Sequence, residues 1–60
     1  MYIRCKEGDS RYIIDAIRKK VYEVIEDRTM LLKMDSDNFV RWHPYLQKVE
    51  IINTKPKELK

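Results

Sequence analysis

Cysteine, histidine and long apolar runs are all scarce in this sequence, and each shortage excludes a class of protein. The single cysteine, Cys5, cannot form an internal disulfide, which indicates a reducing, cytoplasmic location. One cysteine and one histidine fall short of the four ligands that a structural zinc site needs. No uninterrupted apolar run exceeds three residues, which is too few for a transmembrane helix. The N-terminus also lacks the apolar core of a signal peptide.

The charge is distributed unevenly along the 60 residues. Residues 53–60 carry three lysines against one glutamate, a net charge of +2, and residues 1–52 carry ten cations against nine anions, a net charge of +1. We therefore expect a single, nearly neutral small domain over residues 1–52 and a polar, disordered tail over residues 53–60. A protein that follows phosphate groups usually concentrates positive charge on its folded face.

Residues 30–42 are predicted to form a β-hairpin around which the rest of the fold is organised. Two apolar runs flank Asp35-Ser36-Asp37-Asn38, and these side chains favour turns because they bond to nearby backbone. A three-residue loop sets a register that gathers one apolar face and points Phe39 outward. The residues of that face are Met30, Leu32, Met34, Val40 and Trp42. Trp42 is therefore predicted to lie in the core.

Two further segments alternate as strands do, and a third is ambiguous. The strands are residues 2–6, with Ile3 and Cys5 inward, and residues 48–52, with Val49 and Ile51 inward. Residues 10–27 fit a helix with an apolar stripe. The fold would then be α+β, with an N-terminal strand, this helix and a three-stranded antiparallel sheet. The same residues also fit an irregular loop followed by a strand rich in β-branched and aromatic residues.

Three short phrases resemble the small Src-homology-3-like (SH3-like) barrel proteins of phages and prophages of Gram-positive bacteria. Lys20–Ile25 is similar to their second strand, Cys5 matches a cysteine that ends their first strand, and Tyr45-Leu46 resembles the turn before their last strand. Lys19 departs from the family, which has glycine there. The aromatic-acidic motif that binds proline-rich ligands is also absent. The resemblance implies a mainly β, five-stranded SH3-like barrel that binds without catalysis.

No arrangement of residues predicts an enzyme or a cofactor. A nucleophilic Cys5 with His43 as its base would need an orienting group and an oxyanion site. Asp35, Asp37 and Asn38 are similar to the opening of a calcium loop. However, valine and leucine stand where that loop requires glycine and glutamate. We therefore expect a non-enzymatic protein-binding module without metal or cofactor, which the resemblance makes a modulator or inhibitor of a larger host protein.

Candidate binding residues follow from the aromatic and basic positions. Tryptophan and tyrosine dominate interface hot spots, and the protein-binding candidates are Phe39, Tyr45, Tyr12 and Tyr2. The alternative is a nucleic-acid-binding barrel, for which the candidates are Arg11, Arg18, Lys19 and Lys20. A third possibility is self-association, in which edges that include Ile52 and Phe39 pair between copies. No membrane partner is expected.

Overall fold

Five antiparallel strands and one short helix make up the computed structural model, which describes residues 1–59 apart from the side chain of Lys48. The elements are β1 (Tyr2–Glu7), β2 (Ser10–Asp15), β3 (Lys20–Ile25), β4 (Arg28–Asp35), α1 (Ser36–Trp42) and β5 (Gln47–Ile52). The strands form one sheet in the order β4-β3-β2-β1-β5. Within the described residues β4 and β5 are the outer strands, and the sheet is not closed. The mainly β class is confirmed.

Residues 10–27 form two strands, so the helical interpretation of this segment is wrong. β3 occupies the predicted strand, but β2 replaces the predicted loop. β2 is the central strand, and both of its faces are covered. Three consecutive residues, Tyr12, Ile13 and Ile14, are therefore apolar, and β2 lacks the alternation of polar and apolar residues that marks a strand with one exposed face. The buried Asp15 carboxylate closes the following turn by accepting a hydrogen bond from the Arg18 N–H at 3.1 Å.

The predicted hairpin over residues 30–42 is also wrong, because its second half is helical. The Asp35 carboxylate accepts a hydrogen bond from the Asn38 N–H at 2.8 Å and so caps the first turn of α1. Asp37 in the first turn and Arg41 in the last turn both complement the helix dipole. The side-chain chemistry that suggested a tight turn therefore begins a helix instead.

The core consists of two clusters, one on each face of the sheet. We call the first face, on which α1 lies, the helix face, and the second face the strap face. Buried residues of the helix face are Cys5, Tyr12, Ile14, Val21 and Phe39. Those of the strap face are Ile13, Val24 and Leu59, bordered by Tyr2 and Tyr22. Ile3 and Cys5 point inward as predicted.

Residues 53–59, which we call the C-terminal strap, lie against the sheet. Lys60, the last residue of the expected disordered tail over residues 53–60, lies outside the described residues. Leu59 is buried against Ile13 and Val24, and Pro56 is buried as well. The Leu59 N–H donates to the Pro56 carbonyl at 3.0 Å, which turns the chain. Glu58 accepts two hydrogen bonds from Arg4, at 2.8 and 3.1 Å. The strap is ordered because it covers apolar groups of the central strands.

The Arg4–Glu58 contact predicts a pH-dependent strap. Hydrogen bonds from Arg4 lower the pKa of Glu58. A carboxylate whose folded-state pKa is depressed stabilises fully above its unfolded-state pKa, and this contribution is lost as pH falls through the folded-state pKa. We expect the Glu58 carboxyl, followed by NMR, to titrate at lower pH in the wild type than in Arg4→Gln. Equal titration midpoints of Glu58 in the wild type and in Arg4→Gln would contradict the Arg4–Glu58 contact.

Candidate protein-binding surface

The structure separates the four predicted protein-binding residues. Phe39 is completely buried, and Tyr12 is buried beside it. Tyr2 is half-buried at the border of the strap-face cluster. Only Tyr45, at 77% exposure, is available to a partner. Phe39 and Tyr12 are therefore wrong as surface residues, because the helix turns Phe39 into the core where a strand would have turned it outward.

Phe39 is the centre of an aromatic cluster under the helix. Its ring stacks on His43 at a centroid distance of 4.1 Å and meets Tyr12 edge-on at 4.7 Å. Nδ1 of His43 lies 2.8 Å from the Phe39 carbonyl oxygen, so this nitrogen carries the hydrogen and donates it. His43 also ends the helix as its C-cap. The histidine thus has a structural role in the fold.

Five exposed apolar residues lie in α1, in β5 or in the segment that joins them, and we call them the apolar rim. They are Val40, Trp42, Tyr45, Val49 and Ile51. Trp42 is 73% exposed, so its predicted place in the core is wrong, and the inward prediction for Val49 and Ile51 is wrong as well. Isolated exposed apolar residues are ordinary, but contiguous patches that include aromatic groups mark interaction sites.

Ile51 of the apolar rim lies on the helix face, the side of the sheet on which α1 lies. α1 packs against β3 and β4, whereas β5 is the outer strand beside β1. The chain therefore crosses the helix face between α1 and β5, and Leu46 packs on the core during the crossing. Ile51 is paired with Ile3, which borders the same cluster. Val49 and Ile51 are exposed because the helix does not reach their strand.

Both outer strands are irregular, which disfavours pairing between copies. β4 carries extra residues opposite β3 between Leu31 and Asp35, and β5 carries one opposite Cys5. Bulges bend an edge and blunt its capacity to pair. The predicted contribution of Phe39 to self-association is also wrong, since this side chain is buried.

The four basic candidates are not one patch. Arg18, Lys19 and Lys20 lie at the turn between β2 and β3, while Arg11 lies about 13 Å further along β2 at 3.3 Å per residue. Lys19 forms an exposed ion pair with Asp37 at 3.2 Å. Arg18 lines a cavity of about 160 Å³ together with Lys55, Tyr2 and Tyr22. One residue of the basic run, Arg18, therefore lines the same cavity as Lys55 of the C-terminal strap.

The remaining chemistry-bearing residues are structural. Cys5 is buried, as predicted, and burial raises the pKa of its thiol, which keeps the sulfur protonated and unreactive. Among residues 1–59 no three carboxylate, thiol or imidazole groups converge as metal ligands would. In the same part of the chain, no helix has the length and apolar character needed to cross a membrane.

No protein-family model, curated protein or solved structure matches this chain. The resemblance to phage-type SH3-like barrels therefore stays a prediction.

Proposed function

We propose that this chain is a non-enzymatic protein-binding module, built as an open SH3-like barrel, that acts by covering a surface of a larger protein. The apolar rim carries the proposal, because a folded domain of this size exposes Trp42 and Tyr45 at 73% and 77%. The phage-type resemblance makes the larger protein a cytoplasmic host protein whose activity is modulated or inhibited.

Two structural features support the SH3-like part of the proposal. The five strands, with one short helix between β4 and β5, agree in number with the five-stranded barrel that the resemblance implied, although residues 20–25 form the third strand and not the second. Lys19 has a φ of 56°, in the left-handed region that glycine adopts without strain. The family that the sequence resembles usually has glycine at this position, and the left-handed backbone of Lys19 is one that glycine would adopt readily.

The energetics of the rim suit a protein partner. Covered aromatic side chains bury about 150–250 Å² each, so Trp42 and Tyr45 supply a substantial part of the roughly 800 Å² per partner of a standard interface. Val49 and Ile51 expose further apolar area on β5. Such burial depends little on salt, because apolar area carries it.

A comparative capture experiment tests this proposal. Immobilised wild type, Trp42→Ala/Tyr45→Ala and Ile17→Ala are each incubated with a nuclease-treated lysate of Gram-positive cells, and bound proteins are quantified by mass spectrometry. Ile17 is a matched control, since it is 77% exposed but lies in the β2–β3 turn. We expect a protein bound by wild type and Ile17→Ala and lost with the double variant. A bound protein that all three retain equally would contradict the rim as the binding surface.

A second candidate function, binding of nucleic acid, is favoured by the cavity at the β2–β3 turn. Arg18 and Lys55 both line this cavity, as do Tyr2 and Tyr22, and single-stranded nucleic acids bind to surfaces that combine cations with aromatic rings. The buried Asp15 lines the same cavity and opposes a phosphate group. We therefore rank this function second.

Salt dependence separates the two functions. Affinities for single-stranded and duplex oligonucleotides are measured at low and physiological salt with wild type and with Arg18→Glu/Lys55→Glu. The protein-binding proposal expects weak oligonucleotide binding that falls steeply with salt, because each phosphate contact releases counterions. Tight binding at physiological salt, abolished by the double charge reversal, would put nucleic acid first.

A further inference from the structure

The C-terminal strap occupies a groove on the strap face with two of its side chains. Leu59 fills the apolar part of the groove over Ile13 and Val24. Glu58 supplies the polar contact through its two hydrogen bonds from Arg4. Arg4 also pairs with Glu50 of β5 at 3.0 Å, so this guanidinium is held in place from the sheet side as well.

The groove continues beyond the strap into a cavity of about 250 Å³ beside the Arg4–Glu58 contact. Three cations and two carboxylates line this cavity together with apolar groups, and the charged residues are Arg4, Lys6, Arg11, Glu50 and Glu58. Lys6 and Arg11 face each other directly across β1 and β2, an arrangement of like charges that is unfavourable by itself. Among the described residues, neither has a carboxylate within ion-pair distance. Glu50 and Glu58 both accept hydrogen bonds from Arg4, and Arg11 donates at 3.3 Å to a neutral acceptor, the Glu26 carbonyl oxygen. A further carboxylate, placed to pair with Lys6 and Arg11, is therefore the group that this cavity is suited to accept.

The strap is held less firmly than the sheet. It has one buried leucine, one buried proline and one ion pair whose partners are partly exposed. Residues 53–59 add no strand to the sheet. Segments with few buried contacts open more readily than paired strands. The groove is therefore accessible to a segment that makes the same contacts and adds one for Lys6 and Arg11.

We propose that the strap is an internal occupant of a peptide-binding groove, and that a partner protein displaces it with an acidic segment of its own. The displacing segment carries a glutamate and a leucine in succession, as Glu58 and Leu59 do, and a further carboxylate for Lys6 and Arg11. The groove under the strap lies on the opposite face of the sheet from α1, and its occupation does not depend on the function proposed above. The strap then competes with the partner's segment and determines the fraction of molecules in which the groove is unoccupied.

The test is an NMR titration of the full chain with a synthetic peptide, Asn-Thr-Glu-Pro-Glu-Glu-Leu-Glu, which is the sequence of residues 53–60 with glutamate in place of each of its three lysines. Three proteins are compared: wild type, the strap-weakened Glu58→Gln/Leu59→Ala, and the control Lys57→Ala, which alters an exposed strap residue. We expect shifts at the amides of Arg4, Lys6, Arg11 and Val24. We also expect about tenfold tighter binding by the strap-weakened protein than by wild type or Lys57→Ala, because competition is removed.

Further variants make the outcome decisive. Arg4→Glu added to the strap-weakened protein should weaken binding about tenfold, and a peptide with glutamine and serine in place of glutamate and leucine should not bind. If the strap-weakened protein does not fold, the wild type still reports displacement through the Leu59 amide at high peptide concentration. Absence of groove shifts in every folded protein would overturn the proposal. Equal affinity for the peptide that carries glutamine and serine would also overturn it. So would the formation of dimers in which two copies of the chain exchange their straps.

Discussion

Phe39→Ala is expected to lower the free energy of unfolding by about 3–5 kcal/mol. Phe39 is completely buried and contacts Tyr12 and His43 through its ring. Its removal leaves a cavity under α1 and takes away the only buried apolar side chain of that helix. A loss of this size approaches the whole stability of a small domain, so the variant should be largely unfolded in thermal and denaturant melts.

Val40→Ala is the matched control for Phe39→Ala. Val40 is the next residue of the same helix but is exposed, so its truncation should change stability by less than about 0.5 kcal/mol. A Phe39→Ala protein with the melting temperature of the wild type would contradict the burial of Phe39 and with it the placement of α1 on the sheet.

Trp42→Ala is expected to leave stability nearly unchanged and to weaken partner binding by about 30-fold or more. The first part follows because Trp42 is exposed at the end of α1. The second follows because truncation of a tryptophan hot spot costs about 2 kcal/mol or more, which is about 30-fold in affinity. The checks are a thermal melt of the free protein and a titration of the protein that the comparative capture identifies.

Ile17→Ala again supplies the control for Trp42→Ala, with both stability and affinity expected to match the wild type. Two outcomes would contradict the proposed role of Trp42. One is a Trp42→Ala protein that melts far below the wild type, which would return Trp42 to the core. The other is an unchanged affinity for the partner.

The strands of this fold were partly predictable from the sequence. Alternation located β1 correctly, and the composition of residues 20–25 located β3. β2 escaped prediction because a central strand covered on both faces has no alternation to recognise. Its signal was the apolar run Tyr12-Ile13-Ile14 between the polar residues Ser10 and Asp15, which is typical of a short buried strand.

Phe39 lies in the core and Trp42 on the surface, the reverse of what the sequence predicted, and both errors have one local cause. Asp35 can close a turn or cap a helix with the same carboxylate hydrogen bond, and short-range sequence patterns do not distinguish the two. Once residues 36–42 are helical, a period of 3.6 replaces a period of 2 and the inward residues change. The acidic residue in the first turn and the basic residue in the last, Asp37 and Arg41, were the available signals for a helix.

The proposed binding surfaces depend on tertiary structure and are harder to predict from the sequence. Tyr45 was identified from residue type alone, whereas the exposure of Val49 and Ile51 depends on where α1 ends relative to β5. The strap was predicted as a disordered tail from its polar composition. Its order depends on Leu59 and Pro56, two apolar residues among lysines, and on a glutamate that meets Arg4 across the sheet.

Quenching of the fluorescence of Trp42 tests the apolar rim most directly, because Trp42 is the only tryptophan of the chain. Acrylamide quenching is measured for the folded protein alone and for its complex with the captured partner, using a partner variant without tryptophan or with its signal subtracted. We predict ready quenching in the free protein and strong protection in the complex. Protection already present in the free protein, or equal quenching in the complex, would show that Trp42 does not form the binding surface.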